Sequence, residues 1–301
     1  MACTLFYATF FYKKYMFKTI DWSGYVFISF FTLPFLIFNI LPIIFGAYIS
    51  FNEWGIFGEP DWVGLENYIN LFKDRYAYLA FKNVILYALI IVPSVTILGF
   101  VAALFVNQGW PLSAMGRTIF FSPYAVAASV IGLIWVWLLD TQYGLINQYL
   151  NIIGINNIPW ITSYEWAFIG VSIASIWWDL GLAFILFLAG LQDIPKDLIE
   201  SAKIDGANRF QRLGKIIIPL MRPIITMVFT LQLIATLRIF SQILVMTYGG
   251  PAGGSSSPIF YIYSTAIERQ LFGYSSAVSM ILFIFILILT LLLRFMLRVR
   301  A

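Results

Sequence analysis

The sequence predicts an all-α integral membrane protein with about six transmembrane helices. Of its 301 residues, 61% are hydrophobic and only 11% are charged, whereas about 25% are charged in soluble globular domains. The mean hydropathy is +0.89. The apolar stretches are continuous and do not alternate as the strands of a membrane barrel do. Several reach the roughly 20 residues that a helix needs to cross the hydrocarbon core of a bilayer.

Six apolar stretches are long enough to be spans. They lie at about 25–51, 82–106, 118–139, 166–191, 217–247 and 273–297. The fifth is too long for one crossing, which indicates that it begins as a surface turn. The first is longer than a signal-peptide core and has no small-residue cleavage site, so we expect it to stay in the protein.

The N-terminal residues 1–24 are predicted to form a cytoplasmic or interfacial segment ahead of a membrane domain at 25–301. The apolar string TLFYATFFY near the start is too short to span a bilayer, and it runs into Lys13 and Lys14. We therefore expect it to anchor at the membrane surface.

Lysine and arginine positions predict the orientation, because cationic loops stay on the cytoplasmic side. One set of loops and termini holds most of them: Lys13, Lys14, Lys18, Arg117, Lys196, Lys203, Arg209, Arg212, Lys215, Arg222, Arg294, Arg298 and Arg300. The opposite loops hold only Lys73, Arg75, Lys82 and Arg269. Both termini are thus predicted to be cytoplasmic, in the inner cell membrane. Topology explains the net charge of +4 without a nucleic-acid partner.

A charged segment at about 193–222 interrupts this apolar chain on the predicted cytoplasmic side. Pro195 suits a helix start and Gly206 suits the position just past a helix end. On the short amphipathic helix between them, Leu198, Ile199 and Ala202 are expected to share one face, while the other face is polar: Lys196, Glu200 and Lys203.

Beyond that helix, Asn208 can cap a second short helix, and Pro219 and Pro223 are expected to bend the chain as it re-enters the membrane. The segment is either a solvated connector between two spans or a rigid docking element for another protein. Two short helices around a glycine hinge favour docking.

The segment resembles the EAA loop of ABC importer permeases. That loop has the pattern E-A-A, three residues, G, about nine residues, then I-x-L-P. The matching positions are Glu200, Ser201, Ala202, Asp205, Gly206, Ala207, Ile216 and Pro219. Ser201 replaces the first alanine and Ile218 replaces the leucine, and neither change alters the size class.

Other strings, in the same order and spacing, resemble the MalF-like sugar-importer branch of this family. They are WVGLENY at 62–68, GLINQYL at 144–150, TYGGP at 247–251 and GYSSAVS at 273–279. The resemblance implies the type I importer permease fold, with a coupling helix at about 195–206 that inserts into a cytoplasmic ATPase. It implies that Glu200 meets a cationic group on that ATPase and that Gly206 permits a tight turn.

The resemblance also implies the assembly. The expected partners are a second permease subunit, two cytoplasmic ABC ATPase subunits, an extracytoplasmic solute-binding protein and membrane lipid. The chain has no phosphate-binding loop of the form G-x-x-x-x-G-K-[ST] and no histidine. We therefore predict no catalytic or metal site and no cofactor in this chain, with ATP and magnesium bound by the ATPase subunits.

Two charged residues within predicted spans are candidates for the solute pathway, since ionisable groups at membrane depth usually face a cavity or a partner. Asp179 lies in the fourth span beside Trp177 and Trp178, whose flat faces could stack on a sugar ring. Arg238 lies in the fifth span, and Gln242 is expected to share its face one helical turn further on.

Structural roles for these residues are equally open: packing for the tryptophans and an ion pair for Asp179 and Arg238. The predicted function is the permease subunit of an ATP-driven importer of a sugar or sugar-like solute. Maltose-type oligosaccharides, trehalose, glycerol derivatives and other polyols all remain candidates. The alternative is an ion-coupled secondary carrier that uses Asp179 and Arg238 as a charge relay.

Overall fold

The computed structural model describes residues 22–56, 58–108 and 113–296. The anchor predicted at residues 1–24 lies almost wholly outside these ranges, as do Lys13, Lys14, Lys18, Arg298 and Arg300. The chain divides into two compact units, Met1–Tyr48 and Ile49–Ala301.

The first unit holds one apolar helical run. Helix α1 (Trp22–Phe35) continues through a π-helical turn (Leu36–Ile40) into α2 (Leu41–Ile49), and Gly24–Ile49 is long and apolar enough to span a membrane. Pro34 lies just before the π turn, as expected because proline has no N–H to give to the helical ladder.

The second unit begins with a short antiparallel pair, β1 (Asn52–Glu53) and β2 (Asp61–Trp62). Its helices are α3 (Glu66–Lys73), α4 (Arg75–Val106), α5 (Ser113–Phe121), α6 (Ala128–Leu138), α7 (Leu145–Ile152), α8 (Tyr164–Gln192), α9 (Lys196–Ile204), α10 (Arg209–Arg212), α11 (Ile218–Leu237), α12 (Ser241–Met246), α13 (Pro258–Tyr263) and α14 (Phe272–Met296). A 3-10 turn (Ser122–Ala125) follows α5, and π turns follow α10 (Leu213–Ile217) and α13 (Ser264–Glu268).

The core of the second unit forms where α4, α8 and α11 pack together. A Cβ added at Gly99 of α4 would lie 2.8 Å from the Cβ of Ala183 on α8, so only glycine permits this approach of the two backbones. Small residues at such crossings are typical of membrane helices, which gain packing contacts from close approach.

Helices are found at all six predicted spans, with two corrections to their shape. Five helices in the described ranges are long and apolar enough to span. At the place of the third predicted span, the pieces Ser113–Ala125 and Ala128–Leu138 meet at 100°, and they make a sixth span only if both belong to one crossing. The third span, predicted as one helix at 118–139, is therefore bent. The chain is a multi-pass membrane protein with the fold predicted for it.

The fifth predicted span, at 217–247, is wrong at both ends. The helical run Arg209–Leu237 forms one candidate span. It ends where Arg238 leaves helical geometry, and α12 starts separately at Ser241. Hydropathy could not reveal this break, because apolar residues continue on both sides of it.

The segment between α8 and α11 confirms the predicted short helix. Helix α9 ends in a Schellman motif, in which Gly206 has a φ of +81°. The N–H of Ala207 bonds to the carbonyl of Ala202 at 2.9 Å, and that of Gly206 bonds to Lys203 at 3.0 Å. This geometry explains the spacing of the motif, in which three residues separate the second small residue, Ala202, from Gly206.

The predicted second helix is also present and is capped by Asn208. The N–H of Gln211 donates to the Asn208 side chain, and the Gln211 side chain accepts from the N–H of Asn208, each at 2.8 Å. This helix is not a separate element, however, because it continues through the π turn into α11. Pro219 lies in the first turn of α11 and Pro223 lies further along it, so the helix continues past both prolines.

Candidate functional site

A cavity of about 270 Å³ gathers four of the five residues predicted for the solute pathway. Trp178 and Asp179 enter it from α8, Arg238 enters it from the end of α11, and Gln242 enters it from α12. Trp177 is not among its lining residues. That side chain is 42% exposed and packs edge-on against Trp135 at 5.9 Å.

Asp179 lies buried beside the bend of the third span. The Trp178 indole N–H donates to the carbonyl of Val126 at 3.0 Å, a carbonyl that the bend leaves outside any helix. The Trp178 ring also packs at a tilt against the Tyr124 ring, with 5.1 Å between the ring centroids. Opposite, a Cβ on Gly181 would lie 2.7 Å from that of Tyr124. The broken helix and α8 thus hold one wall of the cavity together.

Arg238 and Gln242 share the cavity for a reason other than the one predicted. They do not lie on one helical face, because the helix ends between them at Arg238–Phe240. The break turns both side chains into the same space. Arg238 is exposed and Asp179 is buried, and no ion pair joins them within the described residues.

Two further polar residues of α11 were missed by sequence reasoning. Thr236 lines the cavity and Gln232 lies one turn before it. They are 2% and 1% exposed, and the Thr236 hydroxyl and the Gln232 side-chain oxygen have no hydrogen-bond partner among the described atoms. A buried polar atom without a partner is costly. Their spacing of four residues was the only available signal.

Residues 193–222, here called the α9 segment, expose two large apolar side chains, one at the end of α9 and one on α10. Ile204, the last residue of α9, is 86% exposed, and Phe210 is 85% exposed. They flank Gly206 and were not singled out from the sequence. Of the predicted coupling residues, Ala202 is buried, whereas Glu200, Ser201, Asp205 and Gly206 are exposed and Ala207 is half-buried.

The face of α9 differs from the one predicted. Lys196, Ile199, Glu200 and Lys203 line a common cavity against the ends of α4 and α8, so Ile199 belongs with the polar residues. Helical spacing places positions 196, 199, 200 and 203 on one side. The sequence placed Ile199 with Leu198 and Ala202, apart from the charged residues, because it is apolar. It can line the cavity beside those charged residues because the other residues of the cavity floor are apolar too.

At the opposite end of the spans, the loop after α12 is held by α4. The side-chain amide of Asn83 donates to the carbonyls of Gly253, Gly254 and Ser256 at 2.9 to 3.2 Å. The Tyr87 hydroxyl donates to the carbonyl of Ser255 at 3.0 Å. The string TYGGP therefore begins a fixed loop.

Asp74 ties three helices together near this loop. It caps α4 by accepting from the N–H groups of Tyr76 and Ala77, and it accepts from the hydroxyls of Tyr261 on α13 and Tyr274 on α14. Burial by itself would raise the pKa of Asp74, but these hydrogen bonds outweigh it and lower the pKa below its ordinary value of 3.8.

Comparison with known proteins gives relatives that cover most of the chain. The trehalose/maltose transport system permease protein MalF of Thermococcus litoralis is 33% identical over 84% of this chain and 85% of its own length. The sulfoquinovosyl glycerol transport system permease protein SmoG of Agrobacterium fabrum is 30% identical over 82% of this chain and 80% of its own.

A solved structure has the same fold. A chain in the crystal structure of a bacterial alginate ABC transporter, in complex with an alginate pentasaccharide-bound periplasmic protein, superposes with a TM-score of 0.82 at 23% identity, covering 92% of this chain and 94% of that one. The family model of the binding-protein-dependent transport system inner membrane component matches residues 95–300. The chain therefore belongs to the family of binding-protein-dependent transport system inner membrane components, among relatives that include MalF-like permeases.

Proposed function

We propose that this chain is the permease subunit of an ATP-driven importer that moves a sugar or sugar-like solute across the cytoplasmic membrane. The observation that carries the proposal is the α9 segment, a Schellman-ended helix with the EAA-like pattern that leaves Ile204 and Phe210 exposed. Exposed apolar groups on a rigid element are typical of a docking site. Family membership and the named solutes of the relatives support the choice of solute class.

In this proposal, α9 docks in a cleft of a cytoplasmic ATPase. Ile204 and Phe210 supply apolar contact on either side of Gly206. Glu200 pairs with a cationic group of the ATPase and fixes the register of the joint. ATP and magnesium are bound by two such ATPase subunits, and a second permease subunit and an extracytoplasmic solute-binding protein complete the assembly. Both termini are then cytoplasmic.

The cavity at Asp179 is the proposed point of contact with the solute. Sugars present many hydroxyls and apolar ring faces, so a site for them needs hydrogen-bonding groups beside an aromatic surface. Asp179 and Gln242 can accept from hydroxyls, Arg238 can donate to them, and the Thr236 hydroxyl still lacks a partner. Trp178 offers the aromatic face.

The coupling proposal is tested by reconstituting the chain with its partner permease, ATPases and binding protein in vesicles. We expect uptake of the bound solute to require ATP and to be unaffected when proton and sodium gradients are collapsed. Uptake that follows an ion gradient without ATP would instead support the alternative function, an ion-coupled secondary carrier that uses Asp179 and Arg238. Screening the binding protein against a sugar panel by thermal shift identifies the solute.

The charged contact is tested by Glu200→Lys, with Asp197→Lys as the matched control. Both substitutions change the charge of α9 by the same amount, but Asp197 lies outside the EAA-like pattern. Facing a like charge across an interface costs several kcal/mol. We expect Glu200→Lys to lose the ATPase on purification and Asp197→Lys to retain it. Equal retention by both variants would contradict a charged contact at residue 200.

A further inference from the structure

A second cavity, of about 630 Å³, lies between α9 and the ends of the spans. Its floor is made of aliphatic side chains: Leu104, Leu191, Ile194, Ile199 and Ile217. Its polar lining comes from Asn107 at the end of α4, from Gln192 at the end of α8, and from three charged residues of α9: Lys196, Glu200 and Lys203. The cavity thus combines an apolar floor with a polar, charged wall.

The charges of this lining favour an anion. The lining holds two lysines and one carboxylate, that of Glu200, which gives it a net charge of +1. Within the part of the chain that the structure describes, neither lysine forms an ion pair with Glu200, although helical spacing brings all three to one side. The ammonium groups and the amides of Asn107 and Gln192 are all hydrogen-bond donors.

We propose that this cavity binds an anionic phospholipid of the cytoplasmic leaflet. The phosphate accepts from Lys196 and Lys203, and an acyl chain covers the aliphatic floor. Basic pockets at the cytoplasmic ends of membrane helices favour anionic head groups in this way. The inference rests on the cytoplasmic placement of α9 proposed above, but not on the solute or on ATP coupling.

A lipid in this position has a mechanical consequence. It contacts α9 on one side and the ends of α4 and α8 on the other, so it fills the space across which α9 would move relative to the spans. Anionic lipid is then expected to hold α9 against the spans. Free phosphate would satisfy the lysines but would leave the aliphatic floor uncovered, which distinguishes the two anions.

Native mass spectrometry of the purified transporter tests the proposal directly. Phosphatidylglycerol and phosphatidylcholine of equal chain length are titrated against the wild type, Lys196→Gln/Lys203→Gln and the control Arg209→Gln/Lys215→Gln. The control removes the same charge from the same segment, and neither of its residues lines the cavity. Since each lysine near an anionic head group contributes about fivefold in affinity, we expect the test variant to bind phosphatidylglycerol about 25-fold more weakly.

We expect the control variant to bind phosphatidylglycerol as tightly as the wild type does. We expect the wild type to bind phosphatidylcholine more weakly than phosphatidylglycerol. Glu200→Gln should act in the opposite direction and tighten binding, because it removes the one carboxylate of the lining. The same spectra report whether the ATPase subunits remain bound, so loss of docking is separated from loss of lipid.

Three results would overturn the proposal. One is equal binding of the two lipids by the wild type, and another is unchanged phosphatidylglycerol binding in Lys196→Gln/Lys203→Gln. The third is displacement of the lipid by excess inorganic phosphate, which would mark a site for small anions. A failure of ATP-driven uptake in vesicles would refute the proposed function but would leave these binding measurements intact.

Discussion

Gly206 carries the sharpest requirement of any residue in the α9 segment. Its φ of +81° belongs to the left-handed region, and an added Cβ would meet no atom within 4 Å. The need for glycine is therefore conformational and not steric. A left-handed conformation costs an L-residue roughly 1–2 kcal/mol, and β-branched residues are the least tolerant of it.

We predict that Gly206→Val weakens uptake while the spans stay folded, because the Schellman end of α9 can no longer close. Gly206→Asn is the matched control, since asparagine tolerates the left-handed region. Membrane insertion, ATPase retention and uptake are measured separately for both variants. Wild-type uptake by Gly206→Val would exclude a conformational requirement at this position.

At the level of elements, Asp74 shows how one carboxylate joins α4, α13 and α14. We predict that Asp74→Asn lowers the melting temperature at neutral pH by roughly 2–4 °C, equivalent to about 1 kcal/mol, because charge-assisted bonds from two tyrosines become neutral ones. Asparagine can still cap α4, so the decrease in melting temperature measures the contribution of the negative charge. Asp61→Asn, at an exposed position, is the control.

The pH dependence follows from the lowered pKa of Asp74. A carboxylate whose pKa is lower in the folded state than in the unfolded state stabilises the fold fully above its unfolded pKa. That stabilisation disappears as the pH falls through the folded value, below 3.8. The difference in melting temperature between wild type and Asp74→Asn should therefore stay constant above about pH 5 and shrink in acid. A difference that grows in acid would contradict this assignment.

The elements also mark what sequence could predict here. Length and apolar continuity were enough to predict six spans, and proline, glycine and asparagine punctuation was enough for α9 and the capped start of α10. The bend at Val126 and the break at Arg238 were not predictable. Ser122 and Pro123 precede the bend and Arg238 marks the break, but such residues also occur within unbroken membrane helices, as Pro93 does in α4. The bend is held by a tertiary contact, the bond from Trp178 to Val126. Thr236 and Gln232 were not predicted as site residues either, because their burial depends on how the helices pack.

Across the whole molecule, two continuous helices join the two cavities. Helix α8 carries Asp179 at one cavity and ends with Gln192 at the other, 13 residues or about 20 Å along the helix. The helical run Arg209–Leu237 likewise extends from Ile217 at the α9 cavity to Thr236 at the Asp179 cavity. A displacement of α9 therefore has a rigid path to the residues proposed to contact the solute.

Asp179 and Arg238 offer the last test, because they line one cavity without an ion pair in the described residues. We predict that they interact by charge in another state of the transport cycle. An isolated charge at the centre of a bilayer costs about 2.5 to 3.5 kcal/mol, so Asp179→Asn or Arg238→Gln alone should reduce uptake more than both together. If Asp179 contacts the solute directly, the double variant should be no better than Asp179→Asn, and apparent affinity should fall while the melting temperature stays unchanged. A double-mutant cycle on uptake and on melting temperature separates these cases, and an interaction term of zero in both would exclude the pair.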